Sequence, residues 1–289
     1  MTTATIVRAA NPPRRRLRRF FRSPRGYLLL AFVPLLIVAV PAAGWRLAAP
    51  HVAVAVLAAC LTEVILVWAI YDATVVPTSA LLSGLIVAFI LAPNTPWPIT
   101  AWTTAFAIFS KHLLRVRRNH VFNPAALAVI VSAWLFGSAH SWWGALAGLP
   151  WPWLALLVVG GALNADLINK FPLVLTFLGT YFGIFTLVAL GDPVRAAETF
   201  RDPFLQAALF FALYMLTDPP SSPSRYRDQI VMGALTAVVA GASQLAGVGQ
   251  TYLLVACLSA NVLLAAQRWW YSAQVRRGLA RRARSLAQT

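Results

Sequence analysis

Ten apolar runs, separated by short stretches of proline, glycine and charge, leave this chain little choice of fold. They fall at 27–44, 50–70, 77–92, 97–114 and 122–136, then at 152–167, 171–190, 203–217, 230–248 and 251–267. Over 289 residues, 60% are hydrophobic and 11% charged, so apolar surface exceeds what one soluble core hides. The mean hydropathy of +0.71 agrees. The reading is an all-α polytopic membrane protein. It has a basic tail at 1–26, a ten-span membrane domain at 27–267 and a second basic tail at 268–289.

A net charge of +16 suits nucleic acid in principle, but its placement does not. Arg8, Arg14, Arg15, Arg16, Arg18, Arg19, Arg22 and Arg25 precede the first run, and Arg268, Arg276, Arg277, Arg281, Arg282 and Arg284 follow the last. With the N-terminus inside, Lys111, Arg115, Arg117, Arg118, Lys170, Arg225 and Arg227 also fall inside. Of the 24 basic residues only Arg46, Arg195 and Arg201 fall outside. This bias predicts a multi-pass protein of the bacterial cytoplasmic (inner) membrane with both ends cytoplasmic, in contact with membrane lipid and not with nucleic acid. Trp97, Trp102, Trp142, Trp143, Trp151 and Trp153 fall near the outer ends, where the headgroup layer favours indole rings. The basic and apolar stretch before Ala43 also resembles a signal peptide, but it is long for one and is read as a retained first span. Cys60 and Cys257 sit singly in apolar runs, which excludes a disulfide framework and a thiolate cluster.

The runs divide into two sets of five that face opposite ways, at about 27–136 and 152–267. Their third members end alike, in Leu-Ala-Pro93-Asn94-Thr95-Pro96 and in Leu-Thr217-Asp218-Pro219-Pro220-Ser221-Ser222. That pattern predicts two inverted five-helix repeats, with interrupted spans meeting near the midplane. Proline following a helix end by itself is the simpler reading of the same residues.

Few residues carry chemistry. Asn123-Pro124 reads as an N-cap and N1 pair opening the fifth span, and a helix start at that depth also attracts anions. Thr217, Asp218, Ser221 and Ser222 gather carbonyls, a carboxylate and hydroxyls where the eighth span stops. They serve either as a hydrated loop or as a ligand site. Glu63 lies in the middle of the second span, where a carboxylate must be paired, protonated or facing a polar cavity, and it is the candidate for an ion or proton pathway. Asn164, Gln244 and Asn261 read as interhelical glue. His112 and His120 flank a basic loop and make a poor metal pair. No metalloprotease, P-loop, dinucleotide or nucleophile-elbow motif occurs in a plausible setting, so the chain has no self-contained catalytic motif.

Three blocks resemble a known family: Pro77-Thr-Ser-Ala-Leu-Leu-Ser-Gly84 with Pro93-x-x-Pro96-Trp97, Ser110-Lys111-His112 through Phe122-Asn123-Pro124-Ala125, and Met215-Leu-Thr217-Asp218-Pro219. They are similar to blocks of the NqrB/RnfD family, the D subunit of the Rnf electron-transport complex and the B subunit of the sodium-pumping NADH:quinone reductase. The resemblance implies a membrane subunit of a redox complex with other membrane or redox subunits as partners. It also implies flavin beside Asn123 and Asp218 and coupling of electron transfer to ion movement. The family's Ser-Gly-Ala-Thr motif, whose threonine carries esterified FMN, is absent, and Thr199 lacks its context. Covalent FMN is therefore not expected, which leaves noncovalent FMN or riboflavin. The alternatives are a flavin-free transporter that moves its cargo past Glu63, and an accessory or scaffold protein of a biosynthetic gene cluster, for example an enediyne one.

Overall fold

Each of the ten apolar runs forms helix in the computed structural model of the chain, which describes residues 20–116 and 119–286. The helices are α1 Pro24–Ala42, α2 Trp45–Tyr71, α3 Thr78–Ile90, α4 Trp97–Leu113, α5 Pro124–Phe136, α6 Trp151–Leu167 and α7 Phe171–Val188. A short α8, Pro193–Thr199, precedes α9 Phe204–Phe210, α10 Tyr226–Leu245 and α11 Tyr252–Leu286. Two-residue strands β1 Arg115–Val116 and β2 Asn119–His120 pair antiparallel between α4 and α5, with Arg115 opposite His120. Arg8 to Arg19 of the first basic cluster, and Arg117 and Arg118, lie outside the described residues.

Helix starts follow local chemistry. The Ser23 hydroxyl accepts from Gly26 N–H at 3.3 Å and Pro24 opens α1; the Asn123 side chain accepts from Ala126 N–H at 3.1 Å and Pro124 opens α5. Gly137 ends α5 at φ +62°, a conformation that costs a glycine little. At Gly84 a side chain on α3 would meet the Ala55 carbonyl of α2 at 2.9 Å, so the glycine sets how closely these two helices approach.

By length and composition, four segments can cross a membrane: Pro24–Ala42, Trp45–Tyr71, Phe171–Val188 and Gly249–Trp270. The apolar helices Thr78–Ile90, Pro124–Phe136, Trp151–Leu167 and Phe204–Met215 are shorter, and the reason shows in α3 and α9. A helix of 13 residues rises roughly 20 Å against a hydrocarbon layer of about 30 Å. Proline follows both helices, and both are largely buried among the others. α9 continues through a π-helical turn at Phe211–Met215. α3 and α9 meet edge to face through Phe89 and Phe210, 5.9 Å between ring centres, and Phe32 of α1 packs against both.

One expectation needs correction. Trp142 and Trp143 are buried core residues and not part of an interfacial belt. The loop after α5 folds back over the end of α3, so that Ser141 N–H donates to Ile90 O and the Trp143 indole donates to Ala88 O and Leu91 O at 2.6 and 3.0 Å. Carbonyls left open where α3 stops are thereby satisfied inside the protein, as a low-dielectric setting requires. Trp97 and Trp151 do remain exposed. The last helix, α11, runs unbroken from Tyr252 to Leu286 and so continues through residue 268, since Ala, Leu and Arg all favour helix.

Candidate functional site

A cavity of about 600 Å³ opens where many helix ends converge. The starts of α1 (Ser23, Pro24, Arg25), α3 (Thr78, Ser79) and α5 (Asn123, Pro124, Ala125) line it. So do Glu63 from within α2, Lys111 from the last turn of α4, Asn164 from that of α6, and Thr217, Asp218 and Pro219 beyond α9. Three helix N-termini, each with a partial positive charge and unpaired N–H groups, therefore face one volume.

Glu63 is held on one wall. Its Oε1 accepts from Lys111 Nζ at 3.0 Å, Oε2 lies 2.9 Å from the same ammonium, and His112 Nε2 lies 2.9 Å from Oε2. Lys111 also donates to Ser79 Oγ at 2.6 Å. All three ionisable side chains are more than nine-tenths buried. The mid-span carboxylate is thus paired, and Lys111, expected in a basic loop, lies in the last turn of α4 as its counter-ion. His112 Nδ1 is buried without a hydrogen-bond partner.

The opposite wall is built by the turn after α9. The β1–β2 hairpin brings His120 Nε2 to 3.2 Å from Asp218 Oδ2, which also accepts from Ser221 Oγ at 2.8 Å; Ser222 Oγ donates to Asp218 O at 2.7 Å. Asn261 of α11 ties this turn to α5: its Oδ1 accepts from Asn123 N–H at 2.7 Å and its Nδ2 donates to Ser221 O at 3.2 Å. Asn164 Nδ2 donates to Leu213 O in the π-helical turn, which leaves Asn164 Oδ1 buried without a partner at the cavity wall. Behind the turn, buried Lys170 donates to Pro223 O. Burial pushes its ammonium down to about 8, against the upward pull of Asp218 and with Arg268 adding to the fall.

Of the five residues expected around a cofactor, Asn123, Thr217 and Asp218 line the cavity. Ser221 and Ser222 do not; they are buried behind it with hydroxyls turned to Asp218. Glu63 shares the same cavity from the other wall. Sequence reasoning missed Lys111 and His112 as partners of Glu63, Ser79 as a partner of Lys111, and Arg25, Arg115, Asn164 and Tyr214 as lining. A lysine within the run 97–114 was the one usable signal, because such a charge needs a partner.

Fold and site together define a helical membrane protein built around a polar chamber walled by the buried Glu63 with Lys111 and His112 and by the partly exposed Asp218 with His120. Residues 13–147 match the model of the NQR2, RnfD, RnfE family, which is associated with membrane subunits of Rnf and Nqr electron-transport systems. That stretch includes the first two resembling blocks, and the Thr217-Asp218 block lies beyond it. No curated protein sequence matches the chain.

Proposed function

We propose that the chain is the membrane subunit of an Rnf/Nqr-like electron-transport system, lying in the bacterial cytoplasmic membrane with both ends cytoplasmic, and that its chamber holds FMN or riboflavin noncovalently. The carrying observation is the chamber itself, in which three helix N-termini converge. Its volume lies within the ~300–1,000 Å³ of small-molecule sites.

The residues present fit a flavin. The unpartnered Asn164 Oδ1 offers an acceptor for an imide N–H, and the Tyr214 and Phe20 rings offer apolar lining. Arg25 and Arg115, which make no ion pair among the described residues, join the N-termini of α1, α3 and α5 in favouring a phosphate. A bound flavin supplies one- and two-electron redox chemistry. The chain supplies the positioning: Asn261 fixes Asn123, and Ser221 with His120 fixes the Asp218 carboxylate at the chamber edge.

We read the architecture as the inverted repeat predicted from sequence. Supporting it, α1 packs on α6 and α5 on α11, first with first and fifth with fifth, while the interrupted third members meet at Phe89 and Phe210. Both oxygens of Glu63 are engaged by Lys111 and His112, which suits relay of a proton better than capture of a metal cation. That engagement disfavours the flavin-free transport reading, which needs Glu63 open to a cargo.

The test is the absorbance spectrum of detergent-purified protein before and after acid precipitation. Flavin released into the supernatant supports the proposal. Flavin in the pellet means a covalent attachment, and a colourless folded protein refutes cofactor binding by the isolated chain.

A further inference from the structure

A second cavity, of about 460 Å³, lies between α10 and α11 and shares no lining residue with the chamber. Its composition changes along its length. Arg225, Arg227 and Asp228 stand at the start of α10, and Gln267 faces them from α11. Further along, Met232, Ala260 and Leu264 form a buried floor, with exposed Val231, Leu235 and Leu263 as its sides. From Arg225 to Leu235 the groove follows ten residues of helix, roughly 15 Å of rise. A charged mouth above an apolar channel of this length matches the amphipathic build of a lipid.

The charge at the mouth selects among lipids. Arg225 and Arg227 are exposed and make no ion pair among the described residues. Asp228 lies in the first turn of α10, where the amides of the helix start compensate its carboxylate. Two guanidiniums therefore remain to face a phosphodiester, with the same helix start adding to the attraction.

We propose that this groove is a binding site for one anionic phospholipid, with its phosphodiester on Arg225 and Arg227 and an acyl chain between α10 and α11. The proposal is independent of flavin: a colourless chain that retains the lipid would sink only the earlier reading.

The experiment is native mass spectrometry of the full chain released from mild detergent, with phosphatidylglycerol, phosphatidylethanolamine and phosphatidylcholine of identical acyl chains. Phosphatidylglycerol should be retained as a single adduct at least tenfold more strongly than the other two, and inorganic phosphate should not displace it. The double variant R225Q/R227Q should lower its retention to the level of phosphatidylcholine. Equal retention of the three lipids overturns the proposal, as does displacement by inorganic phosphate, which would mark a plain anion site. Undiminished retention by R225Q/R227Q overturns it as well. The lipid ranking and the phosphate competition need only the wild-type chain, so they decide the matter even if the variant fails to fold.

Discussion

Replacing Glu63 by Met removes the acceptor that Lys111 Nζ meets at 2.9–3.0 Å and that His112 Nε2 meets at 2.9 Å. Removing one partner of a buried ion pair costs about 3–5 kcal/mol, because the other charge stays buried without compensation. Lys111 keeps its 2.6 Å bond to Ser79 Oγ, so the lower end, about 3 kcal/mol, is expected. That is more than a hundredfold in the folded-to-unfolded ratio at about 1.4 kcal/mol per decade. Reversible SDS titration of the micelle-bound protein, followed by tryptophan fluorescence, measures the change. The double variant E63M/K111M removes both charges and should return to within about 1 kcal/mol of wild type. A single-variant loss under about 0.5 kcal/mol, the range of an exposed pair, would refute the reasoning. So would a double variant whose loss equals the sum of its parts.

Other consequences follow from the same geometry. The folded-state pKa of Lys170 lies below its unfolded value of 10.5, at about 8, so the unfolded chain binds more protons between these limits. Stability should rise with pH from about 8 to about 10.5 relative to the Lys170→Met variant; a flat or falling difference contradicts the burial of this ammonium. Asn261→Leu leaves Asn123 N–H and Ser221 O without their partner, and should cost about 1–3 kcal/mol in the same titration, whereas no loss would mean that the two elements are not tied through this amide. Trp143→Phe keeps the ring packing on Phe89 but loses two indole hydrogen bonds at the end of α3. A loss of about 1 kcal/mol is expected, and stability equal to wild type would contradict the role given to this loop.

Much of the helical framework was legible because hydropathy, proline and capping residues act locally. Asn123 caps α5 as its place before Pro124 implied, and Asn164 and Asn261 bridge elements as buried amides should. The partner of Glu63 was not legible. Lys111 lies 48 residues away, and its position in the last turn of α4 made it look like one more basic loop residue. The same sign-only reading placed Lys170 in the loop charge, although it is buried against Pro223. Trp142 and Trp143 misled for a related reason: an indole near a helix end suits the headgroup layer, unless the end of an interrupted helix offers it open carbonyls. The full length of α11 was hidden by a hydropathy criterion that stops at Arg268, although helix propensity does not.

The central claim is that the chamber between Glu63 and Asp218 holds a flavin. The most direct test is to measure flavin per chain in purified wild-type protein and in Ser83→Phe, which fills the chamber from α3. The account predicts one noncovalent flavin per chain in the wild type and little or none in Ser83→Phe, with both proteins equally folded. No flavin in folded wild-type protein would contradict the account, and so would undiminished flavin in the filled variant.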